Sequence, residues 1–354
     1  MFSNPGILTF LGRLLLFIAH GLFWLVCLLV IICILPLQSF YWHELAQAFW
    51  WQYGFMLLAA GILAALSLLI KGVVNRQKPW DGPRIALLLA SLLGSAGILW
   101  PLQQELPWWP RRLVRPGHET SPPVSAQSPP NTIRILQHNV YRFHTDFTGL
   151  VELVLKQRSD VIGLEEVDAR SLGALDKQPW IHAHYPYRLF DQRAQSLILS
   201  HWPILEAHVA YDTYRNPYLY TRIKTLMPKP LTLIIVHPPH PTESYQWLQQ
   251  KALWDTLQER EKDIPRPLVI LGDMNTTPYN QSFLSFQQAL QLRDPRTGVS
   301  LLPTWPSYLP WPLRLPLDYI LISRDLELKS QSVLPSTGSD HLPIEVTVRF
   351  IPAR

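Results

Sequence analysis

The first 105 residues contain three long apolar stretches, at about 14–36, 51–70 and 85–101, which restrict the possible folds more than any other feature. A helix that crosses a bilayer needs about 20 mostly apolar residues. Stretches of this length leave no polar face for a soluble surface. We therefore predict a membrane anchor over residues 1–105 with three transmembrane helices. The alternative is a buried helical hairpin of a larger soluble protein.

The basic residues around these stretches predict the orientation of the anchor, because Lys and Arg concentrate in cytoplasmic loops. Three basic residues follow the third stretch: Arg111, Arg112 and Arg115. Five lie before the first stretch or between the second and third: Arg13, Lys71, Arg76, Lys78 and Arg84. We expect a cytoplasmic N-terminus and, after three crossings of the inner or plasma membrane, a periplasmic C-terminal domain.

The composition changes after the anchor. Residues 106–131 form a Pro- and Ser-rich linker, and residues 132–354 resemble an ordinary soluble domain. From residue 131 onward the chain has 23 Lys and Arg against 22 Asp and Glu, which argues against tight binding to duplex nucleic acid. Both cysteines, Cys27 and Cys33, lie in the first apolar stretch, so the soluble part has neither a disulfide framework nor a cysteine zinc site.

Apolar runs in the soluble part predict alternating strands and helices. Helices are predicted at 150–156, 245–258 and 281–291. Strands are predicted at 133–136, 160–164, 197–200, 231–236, 267–271, 319–322 and 344–348. Many strands with few helices predict an α+β sandwich of two sheets with the helices outside.

Polar residues recur where these strands end. Asn139, Glu166, His237 and Asp273 each come just after an apolar run, and Asp318 comes just before one. Each residue also has an explanation that needs no functional site. Asn139 could close a turn, Glu165 or Glu166 could be solvent-exposed, His237 could lie in a loop, and Asp273 could form an Asx turn. The recurrence at strand ends favours a common site.

These residue types suit metal-assisted cleavage of a phosphate ester. Mg²⁺ prefers oxygen ligands, and it polarises a phosphoryl oxygen. A further aspartate can orient or deprotonate the attacking water, and a histidine can stabilise the developing charge or donate a proton. A carboxylate such as Asp318 behind that histidine would hold its tautomer.

The order of these motifs resembles the endonuclease/exonuclease/phosphatase superfamily. The motifs are Asn139, Glu166, His237, Gly-Asp-Met-Asn at 272–275, Leu-Asp-Tyr at 317–319 and Ser-Asp-His at 339–341. Bacterial members with an N-terminal membrane anchor are also similar in the segment Pro303-Thr304-Trp305-Pro306. The resemblance covers about 132–350 and implies a deoxyribonuclease-like, four-layer α/β/β/α sandwich.

The resemblance also implies roles for single residues. Asn139, Glu166 and Asp340 are expected to bind Mg²⁺ or Mn²⁺. Asp273 is expected to activate the water, Asn275 to orient it, and Asp318 to support His341. His237 and His341 are expected to contact the phosphate. Two departures are notable: Glu165 stands where the family usually has Gln, and Tyr141 stands where abasic-site endonucleases carry Asp.

The sequence therefore predicts a membrane-anchored, metal-dependent phosphodiesterase or phosphatase. Its substrate is a phosphate ester that the sequence leaves undetermined: a lipid head group, a small phosphate ester or a nucleic acid. No protein partner is implied. One alternative is an extracytoplasmic nuclease. Another is a non-catalytic binding module, which is disfavoured because every motif position keeps a chemically competent residue.

Overall fold

The computed structural model describes residues 5–34, 41–74, 81–104, 132–296 and 302–351. The predicted linker at 106–131 lies outside these residues. The chain divides into two compact units, Met1–Pro107 and Trp108–Arg354.

The described residues of the first unit are helical except Phe49 and Asp81. Its helices are α1 (Pro5–Ile34), α2 (Tyr41–Ala48), α3 (Trp50–Val74) and α4 (Gly82–Gln104). The small side chains of Ala19 and Ala64 form a buried cluster with Leu87, which allows the three long helices to approach closely.

Two of these helices, α1 and α3, are long and apolar enough to cross a membrane. The prediction of three spans is therefore corrected to two, because the third, at 85–101, falls in α4, which counts only as the shorter apolar helix Gly82–Ile98. The apolar part of α4 after Arg84 is shorter than the helix itself, and a crossing needs about 20 mostly apolar residues. The prediction that the second unit lies in the periplasm required the third span, because it assumed three crossings from a cytoplasmic N-terminus.

The second unit contains two six-stranded sheets and five α-helices among its described residues. The helices are α5 (Thr148–Gln157), α6 (Ala169–Asp176), α7 (Pro179–His184), α8 (Ser244–Glu259) and α9 (Gln281–Ala289). The strands are β1 (Thr132–Asn139), β2 (Val161–Glu165), β3 (Tyr187–Asp191), β4 (Ser196–Ser200), β5 (Ile204–Tyr211), β6 (Pro217–Ile223), β7 (Leu231–Ile235), β8 (Leu268–Asp273), β9 (Leu292–Arg293), β10 (Asp318–Ser323), β11 (Leu326–Val333) and β12 (Ile344–Phe350).

The strand orders are β11-β12-β1-β2-β4-β3 and β5-β6-β7-β8-β10-β9. Each sheet has one parallel pair near its centre, β1 with β2 and β7 with β8, and all its other pairs are antiparallel. A parallel pair needs a crossover connection, which α5 supplies in the first sheet and α8 in the second. The carboxyl ends of each parallel pair therefore lie at one edge of their sheet.

Three apolar layers hold this unit together. Ile135, Leu233 and Leu271 belong to the core between the sheets. Leu153 of α5 packs in a second core on the outer face of the first sheet, and Trp254 of α8 packs in a third core on the outer face of the second. The predicted four-layer α/β/β/α sandwich is confirmed.

Candidate active site

The strand faces that enclose the central core also carry the polar residues of the site. Side chains alternate between the two faces of a strand. In β1, Ile133 and Ile135 lie in the core between the sheets, so the side chains two and four positions beyond Ile135 face the same way. The same alternation along β1, β2, β8 and β10 places five fully buried polar side chains on the inward faces: Gln137, Asn139, Glu165, Asp273 and Asp318.

Strand register pairs these residues at one end of the sandwich. Asn139 is the partner of Glu165 across the parallel pair of the first sheet, and Asp273 is the partner of Asp318 in the second. Gly272 makes the second pairing possible. It has a φ of 143°, and a Cβ there would lie 1.9 Å from the Val236 carbonyl oxygen. Only glycine therefore fits before Asp273.

His341 is held between two buried aspartates. Its Nδ1 and Asp318 Oδ2 form a hydrogen bond of 2.9 Å, and its Nε2 lies 3.5 Å from Asp273 Oδ2. Burial alone lowers the pKa of His341, but the two carboxylates outweigh burial and raise the pKa to about 10. The imidazole is therefore protonated at neutral pH, donates its Nδ1 proton to Asp318, and directs a second N–H toward Asp273.

The two aspartates respond differently to this environment. Burial raises the pKa of Asp273, and the charge of His341 offsets this only in part. Burial acts on Asp318 in the same direction. There, however, His341 and hydrogen bonds from Thr304 and Gln137 lower the pKa below its ordinary value. Asp318 is thus ionised at neutral pH, and Asp273 is the better base because its pKa is the higher of the two.

A second group of contacts joins the two sheets across the site. The Asn139 side-chain amide donates to Glu166 Oε1 at 3.1 Å and to Asp273 Oδ2 at 3.2 Å. His237 Nε2 lies 3.7 Å from Glu166 Oε1 and 3.6 Å from Asp273 Oδ2. Glu166 itself has a φ of 55°, in the left-handed region, which marks a sharp change of chain direction after β2.

The pKa of Glu166 is lowered in this setting. Burial opposes the shift, but the charge of His237 and hydrogen bonds from the Arg142 backbone N–H and from Asn139 outweigh it. Glu166 and Asp318 are therefore both ionised at neutral pH. The carboxylates at this edge of the sandwich outnumber the one buried histidine whose pKa is raised, so a cation is electrostatically favoured here.

Two buried carboxylate oxygens support the same conclusion. Asp340 Oδ2 accepts a hydrogen bond of 3.1 Å from the Trp305 indole N–H, while Asp340 Oδ1 is buried without a hydrogen-bond partner among the described residues. Glu165 Oε1 is likewise buried and without such a partner. Oxygen ligands of this kind suit Mg²⁺. The residues present therefore fit a divalent cation.

Asp273, Asp318 and His341 also have one potential ligand atom each within 4.8 Å of one another. His341 Nδ1 is already bonded to Asp318, so a metal at that atom would have to break a buried hydrogen bond. We interpret this trio as an acid–base group beside the cation site.

The structure brings most of the predicted residues into one network of contacts, namely Asn139, Glu166, His237, Asp273, Asp318 and His341. Asn275 lies at its border: its backbone N–H bonds to Asp273 Oδ1, and its side-chain amide donates to the Pro238 carbonyl. Asp340 also lies at the border, where Trp305 holds it. The individual roles assigned to these eight residues stay predictions.

Sequence reasoning missed Gln137. Its side-chain amide donates hydrogen bonds of 2.9 Å to Glu165 Oε2 and to Asp318 Oδ1. The available signal was an amide side chain directly after the predicted strand at 133–136, two residues before Asn139. Sequence reasoning also gave Glu165 no role. Burial raises the pKa of Glu165 well above its usual range, and the charge of Asp318 adds to the shift.

The fold and these carboxylate and histidine side chains define a phosphoester hydrolase. A model of the Endonuclease/Exonuclease/phosphatase family matches residues 136–341, more than half of the chain. The chain belongs to this family, which confirms the resemblance seen in the sequence.

Several solved structures share the fold at low identity. An endonuclease/exonuclease/phosphatase from Beutenbergia cavernae is 16% identical over 62% of this chain and 72% of that chain, with a TM-score of 0.50. A family protein from Bacteroides thetaiotaomicron is 15% identical over 63% and 100%, with a TM-score of 0.53. A mannosyl-6-phosphatase from the same species is 15% identical over 62% and 100%, with a TM-score of 0.51. No curated protein matches the chain.

Proposed function

We propose that this chain is a membrane-anchored, Mg²⁺-dependent phosphodiesterase or phosphatase. The observation that carries the proposal is the position of Asp273 between two imidazoles. Its Oδ2 lies 3.5 Å from His341 Nε2 and 3.6 Å from His237 Nε2. A base flanked by two imidazoles, of which His341 is protonated, suits the attack of water on a phosphoryl group, since the attack needs a base for the water and positive charge for the oxygens.

The roles follow from this geometry. Asp273 accepts the proton of the attacking water, because its carboxylate is buried and its pKa is raised. His341, protonated and held by Asp318, stabilises charge on the phosphoryl oxygens or donates a proton to the leaving group. His237 contacts the phosphate from the other side of Asp273.

Glu166 and Asp340, with Asn139, would hold the cation. A bound Mg²⁺ or Mn²⁺ supplies polarisation of the phosphoryl oxygen. In the structure Asn139 acts as a donor to Glu166 and Asp273, so its own contribution is to hold the two carboxylates in place.

The membrane anchor rests on α1 and α3, whose length and apolarity suit a bilayer. Extraction of cell membranes with alkaline carbonate should leave the full chain in the pellet, and recovery in the soluble fraction would contradict anchoring. The side on which the second unit lies stays a prediction. A periplasm-dependent reporter fused after Arg354 tests it, and a reporter active only in the cytoplasm would overturn the periplasmic assignment.

The metal proposal is tested on the purified full chain in detergent. Added Mg²⁺ should raise the temperature of thermal unfolding, because the ion binds the folded state. Glu166→Ala should abolish this rise, whereas Glu152→Ala, at an exposed position on α5, should keep it. Hydrolysis should stop with a chelator and resume with Mg²⁺ or Mn²⁺. Hydrolysis that a chelator leaves unchanged would refute the metal requirement.

The reaction is tested with bis(p-nitrophenyl) phosphate, p-nitrophenyl phosphate, DNA, RNA, phospholipids and sugar phosphates as substrates. Asp273→Ala and His341→Ala should each reduce turnover by at least about 10²-fold while the protein stays folded. The matched control is His182→Ala, at an exposed histidine on α7. Near-normal turnover in either site variant would refute the assigned roles.

A further inference from the structure

The helical unit has a cavity at one end of its bundle that no part of the proposed hydrolysis uses. The cavity has a volume of about 230 Å³, and three basic side chains line it: Arg13, Lys71 and Arg84. A water molecule takes about 30 Å³, so the cavity has room for several waters or one tetrahedral anion.

These three residues are distant in sequence and are brought together by helix direction. Arg13 lies near the start of α1, Lys71 near the end of α3 and Arg84 near the start of α4. Gly12 is buried beside α3, where a Cβ would lie 3.2 Å from the Ile70 side chain, and its carbonyl accepts a 2.7 Å hydrogen bond from Ser67. This close crossing of α1 and α3 puts Arg13 beside Lys71.

The described residues contain only one carboxylate for these three cations. Asp81 Oδ2 lies 2.6 Å from Lys71 Nζ and 3.1 Å from Arg84 Nη1. Arg13 forms no ion pair with a described residue, and Arg84 Nε is buried without a hydrogen-bond partner among them. Three cations with one carboxylate leave an excess of two positive charges at this end of the bundle, which attracts an anion.

The basic side chains that line the cavity determine which kind of ligand it can bind. Guanidinium and ammonium groups together bind phosphate oxygens, since Arg offers a planar fork and Lys a point charge. The hydroxyls of Thr9 and Ser67 also line the cavity, but both donate their protons to backbone carbonyls. Recognition therefore rests on charge. We propose that this cavity binds an anionic phosphate group, carried either by a phospholipid head group or by a free phosphate.

The test uses the full chain in phosphate-free maltoside detergent, with a chelator present. Dihexanoyl phosphatidylglycerol and inorganic phosphate are titrated separately, and binding is followed by calorimetry. Arg13→Gln should weaken the binding about tenfold, because one charge-assisted contact is lost. Lys177→Gln, at an exposed position outside the helical unit, is the matched control and should bind as the unmodified chain does.

Asp81→Asn should change the affinity for phosphate in the opposite direction to Arg13→Gln. It removes the competing carboxylate, so phosphate should bind more tightly, whereas a merely structural role for Asp81 would give weaker or unchanged binding. Saturable binding of the lipid alone supports the head group as the source, and binding of inorganic phosphate supports a free phosphate. The proposal is overturned if neither ligand binds saturably, or if Arg13→Gln and Asp81→Asn leave both affinities unchanged. Binding at the catalytic site would not respond to these two substitutions.

Discussion

The side-chain amide of Gln137 donates a 2.9 Å hydrogen bond to Asp318, the residue that holds His341. Gln137→Leu should remove this donor and leave Asp318 Oδ1 without it in a buried position. We expect a loss of about 1–3 kcal/mol in the free energy of unfolding, and a fall in kcat of about tenfold as His341 loses its alignment. Urea unfolding and steady-state kinetics measure the two effects.

The matched control for that substitution is Gln287→Leu, which changes a buried glutamine of α9. It should keep kcat. If Gln137→Leu also kept kcat while losing stability, Gln137 would have a purely structural role.

Asp318→Asn should change the pH dependence of hydrolysis. The Asp318 and Asp273 carboxylates together raise the pKa of His341 to about 10, and the substitution removes one of them. In the unmodified chain, His341 stays protonated up to about pH 10. In the variant the pKa falls, so kcat should decline at a lower pH. A pH–rate profile whose alkaline limb does not move would contradict the proposed pairing.

Glu165→Gln should stabilise the protein at neutral and alkaline pH. The pKa of Glu165 is raised well above its usual range in the folded state, chiefly by burial. Its stabilising contribution is complete below the unfolded pKa of about 4.3 and is lost as pH rises toward the folded pKa. An amide is neutral at every pH and does not lose this contribution.

Chemical denaturation at pH 4.5 and pH 8, with a chelator present, measures this effect. The stability advantage of Glu165→Gln should be larger at pH 8. Glu152→Gln, an exposed glutamate on α5, should show no such change. Equal stability differences at the two pH values would show that Glu165 is ionised in the folded protein.

His138 should make the protein sensitive to acid. It is fully buried, and burial lowers its pKa to about 3. Protonation therefore favours the unfolded state, so its contribution to stability is lost as pH falls from about 6.5 toward 3, by up to about 1.4 kcal/mol per pH unit. His138→Gln should flatten the pH dependence of the free energy of unfolding in this window. The exposed His182→Gln should leave it unchanged.

The sequence predicted those strands that are buried and bounded by polar residues. β7, β8 and β10 are buried along their whole length, and each appears as an apolar run. β5 was missed because it is an edge strand with four consecutive exposed residues, which disrupts the alternation on which a strand prediction depends. β6 was missed because Pro217, at its start, reads as a strand breaker.

The site was predictable as a set of residues but not as a set of contacts. Position after an apolar run identified Asn139, Glu166, His237 and Asp273. The contact of Gln137 with Asp318 joins residues 181 positions apart and depends on how the two sheets face each other. Charge states were equally inaccessible, because the pKa of Glu165 depends on burial and on Asp318.

The alternation that turns these polar side chains toward the central core also limits which changes in strand length the protein can tolerate. Deleting one residue between Ile135 and Gln137 would turn Gln137 and Asn139 to the outer face, into the apolar layer beneath α5. Deleting Ile135 as well would keep the face but draw both side chains back by about 7 Å. Insertions and deletions in this family member should therefore accumulate in its loops, whereas the strands that carry the site should vary by substitution alone.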